Sequence, residues 1–232
     1  MTERLRIDVW SDIACPWCYV GKRQLEAALD QFPESQRVQI TWRAFELDGS
    51  APKVREPVDY AERLGRKYGT TAEQAQAMID RMTGVARGVG LDFRFDRIRP
   101  GNTFDAHRLL HLAALRGVQD AVKERFLRGY LTEGEAIGDG STLIRLSREA
   151  GLDADEVASV LGSDRYADDV RADEAEANAL GISGVPFFVI GSYGVSGAQS
   201  PAVLLDVLAQ AWSERGDGAE LPEGAACGPD GC

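Results

Sequence analysis

The stretch Arg6-Ile7-Asp8-Val9-Trp10-Ser11-Asp12-Ile13-Ala14-Cys15-Pro16-Trp17-Cys18-Tyr19-Val20 decides how this chain is read. Its first half alternates and is rich in β-formers, so residues 5–11 read as a buried strand. From Tyr19 to Phe32, the side chains Leu25, Ala28, Leu29 and Phe32 recur at the spacing of one helical face, which predicts a helix over 17–31. The two cysteines therefore fall where a strand hands over to a helix, with Cys15 at the helix N-terminus. Backbone N–H groups there lack intrahelical partners, and the positive end of the dipole favours an anion. A thiolate is such an anion. The ordinary cysteine pKa of about 8.5 drops to roughly 3.5–7.5 in settings of this kind. Cys15 is thus the expected nucleophile, and Cys18, one turn inward, the thiol that resolves a mixed disulfide.

Two blander readings of Cys-x-x-Cys fit less well. Half a zinc site needs a second pair of ligands. The remaining cysteines, Cys227 and Cys232, lie in the last few residues, and the histidines, His107 and His111, stand far away in the chain. No metal is expected. A structural disulfide closing so short a loop would constrain the unfolded chain little.

A length of 232 residues suits one large domain or a domain carrying an insertion, and 44% apolar residues supply an ordinary core. The net charge of −11 argues against nucleic acid or an anionic membrane as partner, since both reward a positive surface. Met1-Thr2-Glu3-Arg4-Leu5 runs into the first strand with no apolar h-region, and no apolar run is long enough to span a bilayer. The expected location is cytoplasmic, where a Cys-x-x-Cys is more often catalytic or metal-binding than structural.

Beyond the cysteines, residues 38–45 alternate as a second strand, completing a βαβ unit whose crossover should be right-handed. From about 56 to 180 the pattern is helical. Thr71 with Gln74 reads as a capping box opening a helix through Met82. Asn102 or Thr103 can cap a helix with the stripe Ala106, Leu109, Leu110 and Ala113. Further helices are expected over 119–131, 142–150 and 154–161, and over 164–180, ended by Gly181. Phe187-Phe188-Val189-Ile190, a Gly191-Ser192 turn and Tyr193-Gly194-Val195-Ser196 read as a hairpin. Ser200-Pro201 then opens a last helix. A β-α-β half and a β-β-α half make an α/β thioredoxin fold with a large all-helical insertion. The expected division is 1–50 with 181–215 as the thioredoxin-like domain, 51–180 as the helical insertion, and 216–232 as a disordered, cysteine-containing tail.

These segments resemble one family. Residues Asp8 to Lys22 are similar to the active-site segment of DsbA-like oxidoreductases of the cytoplasm. Trp42 to Leu47, Asn102 to Leu109, Gly184-Val185-Pro186-Phe187-Phe188 and Val195 to Gln199 are similar to the family's later motifs, in order. The match is best with the FrnE-like branch, which groups with 2-hydroxychromene-2-carboxylate isomerases and kappa-class glutathione transferases. The resemblance implies a thiol–disulfide oxidoreductase that uses the Cys-Pro-Trp-Cys dithiol opposite a cis-proline, Pro186. Val185 would then offer its backbone to an extended substrate beside Cys15, and Trp17 would contact the substrate or cap the site. Periplasmic relatives often carry histidine between the cysteines. With Trp17 there instead, the thiolate should be stabilised less and the protein should be less oxidising than DsbA at about −120 mV.

Further residues follow with less force. Asp8 is the expected proton relay to the buried thiol, and Asp12 a solvated charge at the strand's end. The resemblance implies that the helix opened by Asn102 and Thr103 faces the active-site groove, so that Asn102, Thr103 and His107 shape a small-molecule or glutathione pocket. Cys227 and Cys232, bracketing a turn-forming Gly-Pro-Asp-Gly, read as an auxiliary dithiol. No tightly bound cofactor is implied, and glutathione is a candidate co-substrate. The expected partners are a disulfide-containing protein or small molecule and a cellular thiol reductant, with the protein a monomer or homodimer. The alternative activity is a glutathione-dependent isomerase or transferase. A binding protein or chaperone using the groove is the non-enzymatic alternative.

Overall fold

The structure, a computed structural model, describes residues 4–54 and 59–216. Four strands, β1 (Leu5–Ser11), β2 (Val38–Ala44), β3 (Phe187–Ile190) and β4 (Tyr193–Ser196), form one sheet in the order β2-β1-β3-β4. β1 and β2 run parallel, Leu5 opposite Val38 through Ser11 opposite Ala44, while β3 pairs antiparallel with both β1 and β4. The parallel pair is joined through helix α1 (Pro16–Leu29) and a 3₁₀ turn. Both α/β halves expected from the sequence are present, and the fold is the expected mixed α/β one.

Alternation in β1 sends Leu5, Ile7 and Val9 to one face, where they pack with Leu25 and Ala28 of α1 and with Leu204, Leu208 and Ala211 of the final helix (Pro201–Gly216). Each fully buried leucine there contributes roughly 1.5–3 kcal/mol. Ser200 accepts from the backbone N–H of Val203 at 3.4 Å at the start of that helix, with Pro201 next, where a missing N–H costs nothing.

Among the described residues seven further helices lie between the halves: α2 (Tyr60–Tyr68), α3 (Ala72–Gly88), α4 (Phe104–Leu115), α5 (Gln119–Arg128), α6 (Gly140–Glu149), α7 (Ala154–Leu161) and α8 (Ala167–Ala179), so the final helix is α9. The capping box at Thr71 and Gln74 is present, but α3 runs on to Gly88 because Met82 and Ala86 extend its buried stripe beyond the expected end. The helix expected over 119–131 divides at Gly129, where one turn of π-helix takes over. Thr103 is the N-cap residue of α4 but makes no side-chain capping bond; Asn102, one residue earlier, supplies one, its Oδ1 accepting from Phe104 N–H at 2.8 Å.

A second core fills the helical part and reaches Ile13, Tyr19 and Val20 beside the cysteines. The last of the seven helices, α8, covers the other sheet face, where Trp10, Ala177 and Ile182 pack together. Among the described residues no helix is long and apolar enough to cross a membrane. Cys227, Cys232 and the expected disordered tail lie outside the described residues, apart from Gly216.

Candidate functional site

Three features of the chain place Cys15. β1 ends at Ser11, Asp12 then folds the backbone through its carbonyl, which accepts from Cys15 N–H at 3.2 Å, and its carboxylate accepts from Ala14 N–H at 3.2 Å. Pro16 occupies the first helical position, leaving Cys15 as the extended N-cap residue whose own side chain does not cap. Its Sγ is free to turn to the segment before β3 and lies 3.5 Å from the Val185 carbonyl oxygen. The Val185–Pro186 peptide bond is cis. Close approach of α1 to this segment requires Gly21, since a Cβ there would sit 2.8 Å from Pro186 Cγ and 3.3 Å from Phe188 Cζ.

The two thiols differ in surroundings. Cys15 is 4% exposed and Cys18 is fully buried. A hydrogen bond from the Cys18 thiol holds the Cys15 pKa below its ordinary value, against burial and the nearby Asp12 charge, with the backbone N–H groups of Cys18 and Trp17 helping. Burial pushes the Cys18 thiol well up, and its bond to Cys15 pushes it further, while Lys123 pulls in the other direction.

Lys123 comes from α5 and is wholly buried. Its Nζ donates to the Ser11 carbonyl at 3.3 Å and lies 5.6 Å from the centre of the Trp42 ring. Burial pushes its pKa down to about 8, although the acidic groups Cys18, Asp12 and Cys15 favour its charge. Asp12 is buried as well. Desolvation alone would raise its pKa, but His107, the Leu47 N–H at 2.8 Å and Thr103 hold it below the usual carboxylate value. His107 Nε2 stands 3.4 Å from Asp12 Oδ1, and neither ring nitrogen makes a well-formed hydrogen bond.

Above Cys15 opens a cavity of about 1010 Å³, with Asp12, Cys15, Pro16, Trp17, Gly184 and Val185 at its thiol end. Its other walls come from α2, α3, the 100–103 segment and Tyr130. Strand–helix dithiol, facing proline segment and inserted helices together form one arrangement, and comparison places it. The model of the DSBA-like thioredoxin domain matches residues 6–209. The chain belongs to that family. It is 46% identical to a probable DsbA oxidoreductase of Streptomyces coelicolor, whose crystal structure matches 99% of this chain and 98% of its own with a TM-score of 0.85. The uncharacterized protein YwbO of Bacillus subtilis is 29% identical over 196 residues, 84% of this chain and 90% of that protein. A 2-hydroxychromene-2-carboxylate isomerase is similar in fold, with a TM-score of 0.62 over 93% of this chain and all of its own at 13% identity.

Within this DsbA-like frame, the carboxylates differ from the sequence reading. Asp8 is not beside the buried thiol. It is ion-paired with Arg43 at 2.8 Å and with Arg6 at 3.3 Å. Asp12, expected to be solvated, is the buried one beside Cys15, because the chain leaves the strand geometry at Ser11 and turns its carboxylate under the helix. Of the expected pocket residues, only Thr103 lines the cavity. Asn102 caps α4 and donates to Glu46 at 3.1 Å, and His107 is buried behind the wall. Trp17 is 43% exposed on the cavity's rim. Sequence reasoning missed Lys123. The signal was its place on the α5 stripe, four residues before Leu127 and seven before Tyr130, both buried. Among the described residues no group of three or more His, Cys, Asp or Glu is arranged to hold a metal ion.

Proposed function

We propose that this DsbA-like oxidoreductase is a thiol–disulfide oxidoreductase with Cys15 as nucleophile and Cys18 as resolving thiol. The observation that carries the reading is the split between the two sulfurs: one at a cavity floor with a lowered pKa, the other buried behind it with a raised one.

The Cys15 thiolate attacks one sulfur of a substrate disulfide. A Cys15–substrate bond forms, the substrate S–S bond breaks, and the departing thiolate takes up a proton. Cys18 then loses its proton and attacks Cys15 Sγ, which closes the Cys15–Cys18 disulfide and releases the second substrate thiol. The substrate gains two electrons and the protein loses two. A cellular thiol, glutathione among the candidates, restores the dithiol by the reverse exchange. The same steps run backwards when the surroundings are oxidising, so the poise of the compartment sets the direction. We place the protein in the cytoplasm within this proposal.

Lys123 has a role in the second step. A buried thiolate is costly without a partner charge, and the ammonium of Lys123 is the buried cation that lowers the cost at Cys18. Trp17, Val185 and Pro186 line or border the place where the substrate sulfur must sit. A glutathione transferase or isomerase needs a single nucleophile and has no use for a resolving thiol. The paired thiols favour redox exchange over that alternative.

Insulin-disulfide reduction tests the reading. Cys15→Ser should abolish it, and Cys18→Ser should accumulate mixed disulfides visible by mass spectrometry. Wild-type turnover by Cys15→Ser would overturn the mechanism.

A further inference from the structure

The cavity above Cys15 has a basic lining in an acidic protein. Arg63, Arg66 and Lys67 of α2 and Arg81 of α3 line it, against two carboxylates, Asp12 and Asp48, in a chain of net charge −11. Asp12 is already engaged by Leu47 N–H, Ala14 N–H and His107, and Asp48 accepts from the Ser50 hydroxyl. Among the described residues Arg63, Lys67 and Arg81 have no carboxylate partner, and Arg66 pairs only with its helix neighbour Glu62. Apolar groups stand among these cations. Trp17, Leu47, Tyr68 and Met78 are half of the eight exposed large hydrophobic side chains among the described residues, and all four line this one cavity.

We propose that this groove receives an acidic polypeptide segment in extended form, carrying the cysteine or disulfide that Cys15 exchanges with. The inference rests on the redox reading above and adds the substrate's class. Two observations favour a polypeptide over a small disulfide. Residues four apart on a helix, as Arg63 and Lys67 are, sit about 5–6 Å apart at Cβ. That is close to the roughly 6.6 Å between side chains on one face of an extended chain. Apolar and cationic groups also stand together in the lining, which suits a chain bearing both acidic and apolar residues. An acidic surface surrounding a basic groove repels such a segment everywhere except beside Cys15, so the field both orients the substrate and raises its encounter rate.

The test uses the full-length dithiol protein and disulfide-bridged peptides of equal length, flanked by Asp and Glu, by Ser, or by Lys, with single-turnover reduction as the readout. The acidic peptide should react about tenfold faster than the neutral one at low salt, and the basic peptide more slowly. The advantage should fade as ionic strength passes ~0.15 M, where screening acts over about 8 Å. In an Arg66→Glu, Lys67→Glu, Arg81→Glu protein the acidic-to-neutral ratio should fall to one or below. A ratio near one in the wild type, or one that the triple variant and salt leave unchanged, overturns the proposal. So does oxidised glutathione alone showing the rim-dependent rate, since the groove would then take a small anionic disulfide. Uncharged bis(2-hydroxyethyl) disulfide separates the two readings: its reduction shows the dithiol to be active whatever the peptides do, and its complete inertness would overturn the redox reading itself.

Discussion

Cys15 and Cys18 are separated by one helical turn, yet they belong to two different media. On the outer side, Cys15 meets a large cavity, backbone N–H groups and the Val185 carbonyl. On the inner side, Cys18 meets a buried interior into which α5 brings the ammonium of Lys123. The seat of Cys15 is set by local chain geometry, a strand end, a turn and a proline-started helix, while its cavity and the Val185 carbonyl come from distant segments. The inner side is built by tertiary packing, because Lys123 and His107 arrive from helices more than eighty residues later in the chain. The same two thiols thus acquire opposite reactivities: Cys15 is lowered by the Cys18 thiol with help from backbone N–H groups, and Cys18 is raised by its burial.

The sharpest way to break this comparison is to ask each thiol alone. With Cys18→Ser, Cys15 should react with iodoacetamide near neutral pH. With Cys15→Ser, the remaining Cys18 should react about a hundredfold more slowly, from burial and a raised pKa together. Equal rates would remove the distinction between the two media.

A smaller effect sharpens the inner side. Lys123→Met should slow closure of the Cys15–Cys18 disulfide about tenfold, measured by quenched-flow trapping of the mixed disulfide, because the developing Cys18 thiolate loses its cation. The same substitution should raise stability at pH 7, since burial makes the Lys123 ammonium costly despite its acidic neighbours. The sign with pH follows from linkage. Lys123 titrates near 8 when folded, against 10.5 as its ordinary value, so between those values the unfolded chain binds more protons and stability rises with pH. In a Cys18→Ser background, where that thiol no longer titrates, urea unfolding should show this rise with Lys123 present and lose it in Lys123→Met.

The smallest effect belongs to the outer side. Gly21→Ala forces the new methyl against Pro186 and Phe188 and should cost about 1–2 kcal/mol, the clash outweighing the gain in helix propensity. Denaturant midpoints check this, and an unchanged midpoint would mean that α1 and the proline segment are not tightly fitted.

The seat of Cys15 was legible in the sequence because local chain geometry sets it. The β1–α1 passage, the Thr71 capping box, the hairpin and the Ser200-Pro201 helix start are all carried by neighbouring residues, and each is found. The resemblance to DsbA-like proteins directed attention to Pro186, which a local reading would have left as a strand-start proline. Charged interior groups were illegible. Asp8 sits among apolar strand residues and looks buried, yet Arg43 from β2 claims it. Asp12 looks like a strand-end charge, yet Leu47, Thr103 and His107 enclose it. Lys123 falls on the α5 stripe with Leu127 and Tyr130, but that spacing says nothing of the Ser11 carbonyl and Cys18 it meets once α5 is docked. Burial of a charge is decided by which distant element covers it, and one chain's periodicity does not record that.

Asp173 of α8 has a consequence for how the molecule comes apart. Its carboxylate accepts from Ala44 N–H at 2.8 Å and from Arg43 at 3.0 Å and lies 3.1 Å from His111 Nε2, and its main-chain carbonyl accepts from the Trp10 indole at 2.9 Å. One helical turn is therefore stitched to β1, β2 and α4 at once. A protease nick in the loop between α7 and α8 should leave two fragments that still co-elute on gel filtration and melt together, because the second fragment carries the knot that fastens the first. Separately expressed halves, divided at that loop, should likewise find each other in solution.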